Sequence, residues 1–372
     1  MRPLKIAWDN CFAKANVIGS GVYAARLSQH LANRNDLTFE VLDGWDTFSK
    51  RSGGASRALR TIAKLLWTHA YLPALLWKRN FSVLHAPAFI APIASPCPTV
   101  ITVHDITYLL HPSHFAGWWV AYMKSVMPLA VKSSAAVICG SEYSKQDIVR
   151  AYGIPSDRVQ VVPYGIDRSR FHPDATLDPQ WAKQLGIRDG YILHVGVFSQ
   201  RKNIPVLLQA IARLRSTGKW GNRQLVLAGS EAPGIVGAAE IYDTITRLGL
   251  TESVILTGHA PDEHIPGLYA NASALVMPSL YEGFGFPILE SMAVGTPVVA
   301  SNSSSLPEVA GDAAILVPPH DVEALAEAIE DAVENRTIAE ELRRKGLARA
   351  RQFSWERTAE QTVAVYRAVA HG

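Results

Sequence analysis

Cysteine is scarce in this 372-residue chain: Cys11, Cys97 and Cys139 are all it has. Three widely spaced thiols cannot form a disulfide framework, and no Cys-x-x-Cys spacing offers a zinc site. Reduced thiols in a cytosolic protein are the expectation. The N-terminal stretch MRPLKIAWDN lacks the apolar core of a signal peptide. No run of about 18 apolar residues occurs, so no helix is expected to span a bilayer. An excess of one charge is missing too. The 36 basic and 33 acidic side chains leave a formal +3, too balanced to argue for nucleic acid as a partner. Asp-x-Asp, which could hold a divalent ion beside phosphates, is absent, and no metal or resident cofactor is expected.

What is present is alternation. With 48% hydrophobic residues, the chain can build two to three domains of about 150 residues each. Short β-branched runs alternate with helical patterns. In the first half strands are expected near Leu4–Trp8, Thr38–Leu42, Val83–Leu84, Thr99–Val103, Ala135–Cys139 and Val159–Val162. In the second half they are expected near Tyr191–Val195, Gln224–Ala228, Val254–Leu256, Ala274–Met277, Pro297–Ala300 and Ala314–Val317. Most are apolar without alternation, as strands buried on both faces of a parallel sheet should be. The pattern occurs twice, separated by DRSRFHPDATLDPQ (167–180). The expected architecture is α/β, with two doubly wound, Rossmann-like domains facing each other across a cleft.

YEGFGFPILESMAVG (281–295) follows one expected strand. Pro287 suits the first turn of a helix that Gly295 would stop. Glu282 then falls in a loop and Glu290 in the first helical turn, both at the carboxyl end of a parallel strand. Gly283 and Gly285 permit close approach of a ligand, with Phe284 and Phe286 beside them. Carboxylates only accept hydrogen bonds, so a pair of them suits a ligand rich in hydroxyls. The plain alternative makes Glu290 a complement to the helix dipole and Glu282 a solvated loop residue. The glycines, the proline and the strand-end position favour the site.

The segment PSLYEGFGFPILESMAVGTPVVAS resembles the E-x7-E segment of retaining glycosyltransferases of family 4, which have the GT-B fold. LHVGVFSQRKNIPVLLQA, VHDITYLLHP, VICGSEYSKQDI and VVPYGID resemble the same family, in the same order. The resemblance implies that Glu290 binds the ribose hydroxyls of a nucleotide diphosphate sugar and Glu282 the hydroxyls of its sugar. It implies an acceptor-side domain, 1–170, joined by a C-terminal helix at 355–372, and a nucleotide-sugar-binding domain, 171–354.

Other stretches gain meaning beside it. Arg201 and Lys202, in GVFSQRKNIP, stand before a helix, where two cations disfavour the helix but favour a diphosphate. The resemblance gives them the donor diphosphate and the leaving group. Many members carry Gly-Arg where this chain has Gly196-Val197, so Arg201 and Lys202 are the evident pair, as in the branch reading RKN that holds many mannosyltransferases. His104 and Asp105 end another strand. A lone His is usually structural, yet the family has a His-Asp here, which implies that His104 lies beside the donor sugar and the reacting centre as a catalytic residue, with Asp105 either orienting it or purely structural. Gly19 and Gly21 precede a helix. The segment fits a dinucleotide fingerprint poorly, because ten residues separate Trp8 from Gly19. The family has a Gly-rich loop here that approaches donor phosphate and acceptor.

The basic, aromatic stretch 56–80 is expected either to lie on a membrane surface, with Arg57, Arg60 and Lys64 on one helical face, or to pack on the first sheet. Pro73 is expected to interrupt it. Together these features imply a metal-independent, retaining hexosyltransferase, cytoplasmic or peripheral at the inner face of the plasma membrane. Its acceptor would be a glycan or lipid-linked precursor of a bacterial surface polysaccharide, and GDP-mannose is the first guess for the donor. A nucleotide-sugar epimerase, a Rossmann oxidoreductase and an inactive sugar-nucleotide-binding partner are the rivals.

Overall fold

The computed structural model describes residues 3–11, 19–44, 63–232 and 235–371. The chain forms two compact units. One contains residues 1–106, 121–165 and 354–372, and the other 107–120 and 166–353.

In the first unit the strands are β1 (Leu4–Asp9), β2 (Leu37–Leu42), β3 (Val83–Ala86), β4 (Thr99–Thr102), β5 (Ala136–Cys139) and β6 (Val159–Val161). They form one parallel sheet in the order β2-β1-β3-β4-β5-β6. The second unit carries β7 (Ile192–Val195), β8 (Leu225–Ala228), β9 (Val254–Gly258), β10 (Ala274–Met277), β11 (Val298–Ser301) and β12 (Ile315–Val317). Its sheet is also parallel, ordered β12-β11-β10-β7-β8-β9. Every expected strand forms, with ends displaced by a residue or two. The runs were recognisable because β3, β4, β5, β8, β10 and β11 are buried along their whole length. Helices on both faces leave no polar side for alternation to mark.

Strand order determines where ligands can sit. In the second sheet the chain first builds outward from β7 through β8 to β9, then crosses to β10 on the other side of β7. Adjacent strands whose connections leave in opposite directions open a crevice at their carboxyl ends. That switch point lies between β7 and β10. The equivalent point of the first sheet lies between β1 and β3.

Helices α1 (Gly19–Ala32) and α2 (Leu72–Arg79) belong to the first unit. Gly19 and Gly21 occupy the first turn of α1 rather than a loop before it, and residues 12–18 lie outside the described residues. Pro73 does not interrupt its segment. A π-helical turn, Trp67–Tyr71, runs directly into α2, with Pro73 the second residue of α2. Trp67, Leu72 and Leu76 pack with Leu42, Phe81 and Leu84, so one face of this stretch is core.

The last helix, α3 (Trp355–His371), returns to the first unit. Ser354 caps it, accepting from the Arg357 N–H at 3.2 Å. Trp355, Ala359, Val363 and Tyr366 form its buried stripe. The Thr358 hydroxyl donates to the Pro163 carbonyl at 2.8 Å. Gly165 faces the backbone of the helix start so closely that a Cβ there would fall 2.2 Å from the Trp355 nitrogen.

Candidate active site

Arg201, Lys202 and Glu282 converge on the β7/β10 switch point, because the first two follow β7 and the third follows β10. A short 3-10 turn, Gln200–Lys202, carries the cations, and Asn203, at φ 55°, ends it. The Asn203 amide donates to the carbonyls of Pro278 at 3.1 Å and Pro319 at 2.6 Å, pinning the turn to the loops after β10 and β12. The backbones are tied as well: Leu280 N–H donates to the Arg201 carbonyl at 2.8 Å. Gly196 sits at φ 152° against the Lys202 side chain, and a Cβ there would lie 2.7 Å from Lys202 Cε. The missing side chain at Gly196 is what gives Lys202 its place.

Glu282 stands between the two cations. Lys202 Nζ lies 2.8 Å from its Oε1, and the Arg201 guanidinium pairs with its Oε2. Glu282 is only 8% exposed and Lys202 only 5%. Burial alone would raise the Glu282 pKa, but the adjacent Arg201 and Lys202 overcome it and hold the group at about 2. Burial pushes Lys202 down while Glu282 pushes it back up. The cluster is two cations sharing one carboxylate, net positive and mostly dry.

The loop carrying Glu282 is held by serines that sequence reasoning did not pick out. Ser304, at φ 51°, accepts the Glu282 N–H at 2.8 Å. Ser305 donates to the carbonyls of Glu282 and Phe284, both at 2.8 Å. A non-glycine residue in the left-handed region at such a place is strain retained for position. Beyond the loop, α4 (Phe286–Val294) begins after Gly285, at φ 119°. The Phe284 ring is buried and meets Phe286 and Phe353 edge-on.

Glu290 lies in the second turn of α4, one turn deeper than expected, because the helix starts at Phe286. Tyr269 belongs to the short helix Ile265–Ala270. Its hydroxyl donates to Glu290 Oε2 at 2.7 Å. Burial raises the Glu290 pKa, against the Tyr269 hydrogen bond and the field of Arg170.

The remaining expected residues lie in the first unit. His104 follows β4 and is buried. Its Nε2 lies 3.0 Å from the Pro87 carbonyl and its Nδ1 2.8 Å from the Tyr164 hydroxyl. A carbonyl only accepts, so Nε2 carries the proton and Nδ1 accepts from Tyr164. Burial brings the His104 pKa down to about 4, so the ring is neutral near pH 7. Both nitrogens are therefore engaged within the unit. Tyr23, in α1 just after Gly21, sets its ring edge on His104 at 5.0 Å. Asp105 is half-buried beside it.

Residues 178–352 match the family model described as glycosyl transferases group 1, and residues 17–170 match glycosyltransferase family 4. The chain is 34% identical over 287 residues to O-antigen chain mannosyltransferase B of Escherichia coli, covering 77% of this chain and 74% of that protein. It is 34% identical over 230 residues to the MMP alpha-(1->4)-mannosyltransferase of Mycolicibacterium hassiacum, covering 61% of this chain and 52% of that one. The solved structure of Anabaena HepE in complex with UDP-glucose superposes with a TM-score of 0.73 at 21% identity, over 98% of this chain and 100% of that one.

Proposed function

The chain belongs to the glycosyltransferases of family 4, with the GT-B fold, and from that premise we propose that it moves a sugar, with retention, from a nucleotide diphosphate sugar to a glycan or lipid-linked acceptor of a bacterial surface polysaccharide. The observation that carries the proposal is the Arg201–Glu282–Lys202 cluster at the β7/β10 switch point. A nucleoside diphosphate gains negative charge as it leaves. Preorganised cations in a dry site stabilise that charge far better than water does. Arg201 and Lys202 take the diphosphate, Glu282 the donor sugar, and Glu290 the ribose. On this reading the unit of 107–120 and 166–353 is the nucleotide-sugar domain, and the unit of 1–106, 121–165 and 354–372 is the acceptor side. His104, neutral near pH 7, belongs to the acceptor side with Asp105, Gly19 and Gly21.

The two relatives above are named mannosyltransferases, so GDP-mannose is the donor to test first. UDP-glucose, the ligand of HepE, is the comparison. Incubation of each with extracted lipid-linked glycan acceptors, followed by NMR of the product linkage, tests transfer and retention together. An inverted anomeric centre, or a sugar altered with no acceptor present, would reject the proposal. Glu290→Ala should weaken binding of the free nucleoside diphosphate by about 10- to 100-fold, since hydrogen bonds to a charged group contribute roughly 1.5–3 kcal/mol. Calorimetry measures this directly, and unchanged affinity would remove Glu290 from the ribose.

Among the described residues, no helix is long and apolar enough to cross a membrane. Surface association is a separate matter. Arg57 and Arg60 lie outside the described residues, but Leu66, Tyr71 and Trp77 are exposed, and Lys78 is exposed beside Trp77. Aromatic rings favour the membrane–water interface, and each basic residue near an anionic surface contributes about 1 kcal/mol. We therefore expect Trp77→Ser combined with Lys78→Gln to reduce co-sedimentation with phosphatidylglycerol vesicles several-fold at low salt. If the parent chain does not sediment with them, 56–80 serves packing alone.

A further inference from the structure

We propose that Tyr269 is a positioning residue that fixes the Glu290 carboxylate for a ribose diol. The proposal rests on the reading of Glu290 as the ribose residue. Its geometry is local to the second unit. The Tyr269 ring is fully buried and packs edge-on against Phe171, with centroids 6.0 Å apart. Its backbone is held as well, because the Thr296 hydroxyl donates to the Tyr269 carbonyl at 2.7 Å. A side chain anchored at ring and backbone has no freedom to seek another partner, and its one polar atom is aimed at Glu290 Oε2, 2.7 Å away.

A glutamate near a helix surface has three torsions to lose when it binds a ligand, and each lost rotamer costs affinity. Tyr269 removes that freedom beforehand. By occupying one lone pair of Oε2, it sets the plane of the carboxylate. The remaining lone pairs then point in fixed directions, and two adjacent hydroxyls can bridge the two oxygens. A single hydroxyl gains less from such an arrangement. The device therefore contributes to discrimination between ribose and 2′-deoxyribose.

The same hydrogen bond acts on charge. Burial favours protonation of Glu290, and Asp262 adds to that, whereas Tyr269, Arg170 and Lys202 favour the carboxylate. Arg170 is itself steadied over the Phe171 ring at 5.1 Å and by the Asp262 carbonyl. Burial keeps the Tyr269 phenol protonated, so it remains a donor at every working pH. Nucleotide affinity should fall as acid protonates Glu290. Without the tyrosine hydroxyl, that fall should begin at a higher pH.

Tyr269→Phe keeps the ring and removes one oxygen. GDP, UDP and the 2′-deoxy form of each are titrated by calorimetry into the parent chain, Tyr269→Phe and Glu290→Gln, from pH 5 to 8. We expect Tyr269→Phe to bind the preferred ribonucleotide about 5- to 10-fold more weakly. Its preference over the 2′-deoxy analogue should shrink, and its acid limb should move upward in pH. At saturating donor, kcat should stay within about twofold while KM rises, the signature of lost uniform binding. If Tyr269→Phe changes only the melting temperature, leaving the ribose preference and the acid limb in place, the hydroxyl is structural and the proposal falls. Glu290→Gln separates the two ideas. Parent-like nucleotide binding by Glu290→Gln sinks the ribose reading and the tyrosine with it. Weak binding by Glu290→Gln alongside an unaffected Tyr269→Phe sinks the tyrosine alone.

Discussion

Glu282→Ala should melt on the order of 10 °C below the parent chain when no ligand is present. Removing one partner of a buried ion cluster leaves charge uncompensated in a dry site, which typically costs about 3–5 kcal/mol. Here two cations, Arg201 and Lys202, lose their shared anion. The same variant should recover more stability from inorganic pyrophosphate than the parent does, because the added anion supplies what the substitution removed. Differential scanning fluorimetry with and without pyrophosphate checks both statements. An unchanged melting temperature, or a smaller pyrophosphate shift than in the parent, would mean the cluster is not a working ion site. The pH dependence follows from the same group. Glu282 is held at about 2, below its ordinary 4.5. Its contribution is therefore present above about pH 4.5 and is lost as the pH falls towards 2. Glu282→Ala should be correspondingly less sensitive to acid over that interval.

Lys202→Ala should lower turnover by roughly 100- to 1000-fold, the usual cost of deleting one preorganised group that meets developing charge. Arg201 still pairs with Glu282 in that variant, so the fold should survive, and circular dichroism can verify it. The parent enzyme should keep its activity in EDTA. That expectation comes from the sequence, which offers no Asp-x-Asp, and from the two cations that the site already supplies. Activity abolished by EDTA and restored by Mg²⁺ or Mn²⁺ would overturn it. A Lys202→Ala enzyme that turns over at the parent rate would do the same for the role of the lysine.

The strands were legible in the sequence because a buried parallel strand is a short continuous apolar run, and β10, ALVM, is a clear instance. The positions of Arg201, Lys202 and Glu282 were legible because each comes soon after such a run, whereas Glu290 sits a turn deeper in its helix than the sequence suggested. Their pairing was not. Nothing in the spacing says that Tyr269 meets Glu290, 21 positions on, or that Ser304 holds the Glu282 amide, 22 positions back. Those contacts depend on which strands are neighbours, and strand order is a property of the whole sheet. Pro73 misled for a related reason. A proline usually ends a helix, but the π-helical turn before it lets the chain continue. His104 was found by its strand-end position, yet Pro87 and Tyr164, which decide its proton, come from distant segments.

The division of the chain also bears on how it can be cut. Residues 107–120 belong with 166–353. Val236 N–H bonds the His114 carbonyl at 3.2 Å, Phe115 pairs with Ile235, and His111 meets the Tyr281 ring. A fragment beginning at 171 would therefore lack a stretch that borders the residue before Glu282. A fragment ending at 170 would carry that stretch with nothing to pack on, and would also lack the helix that Gly165 receives so closely. Two polypeptides split at that point are each incomplete, and a split enzyme made from this chain would have to reassemble from both pieces before either could be assayed.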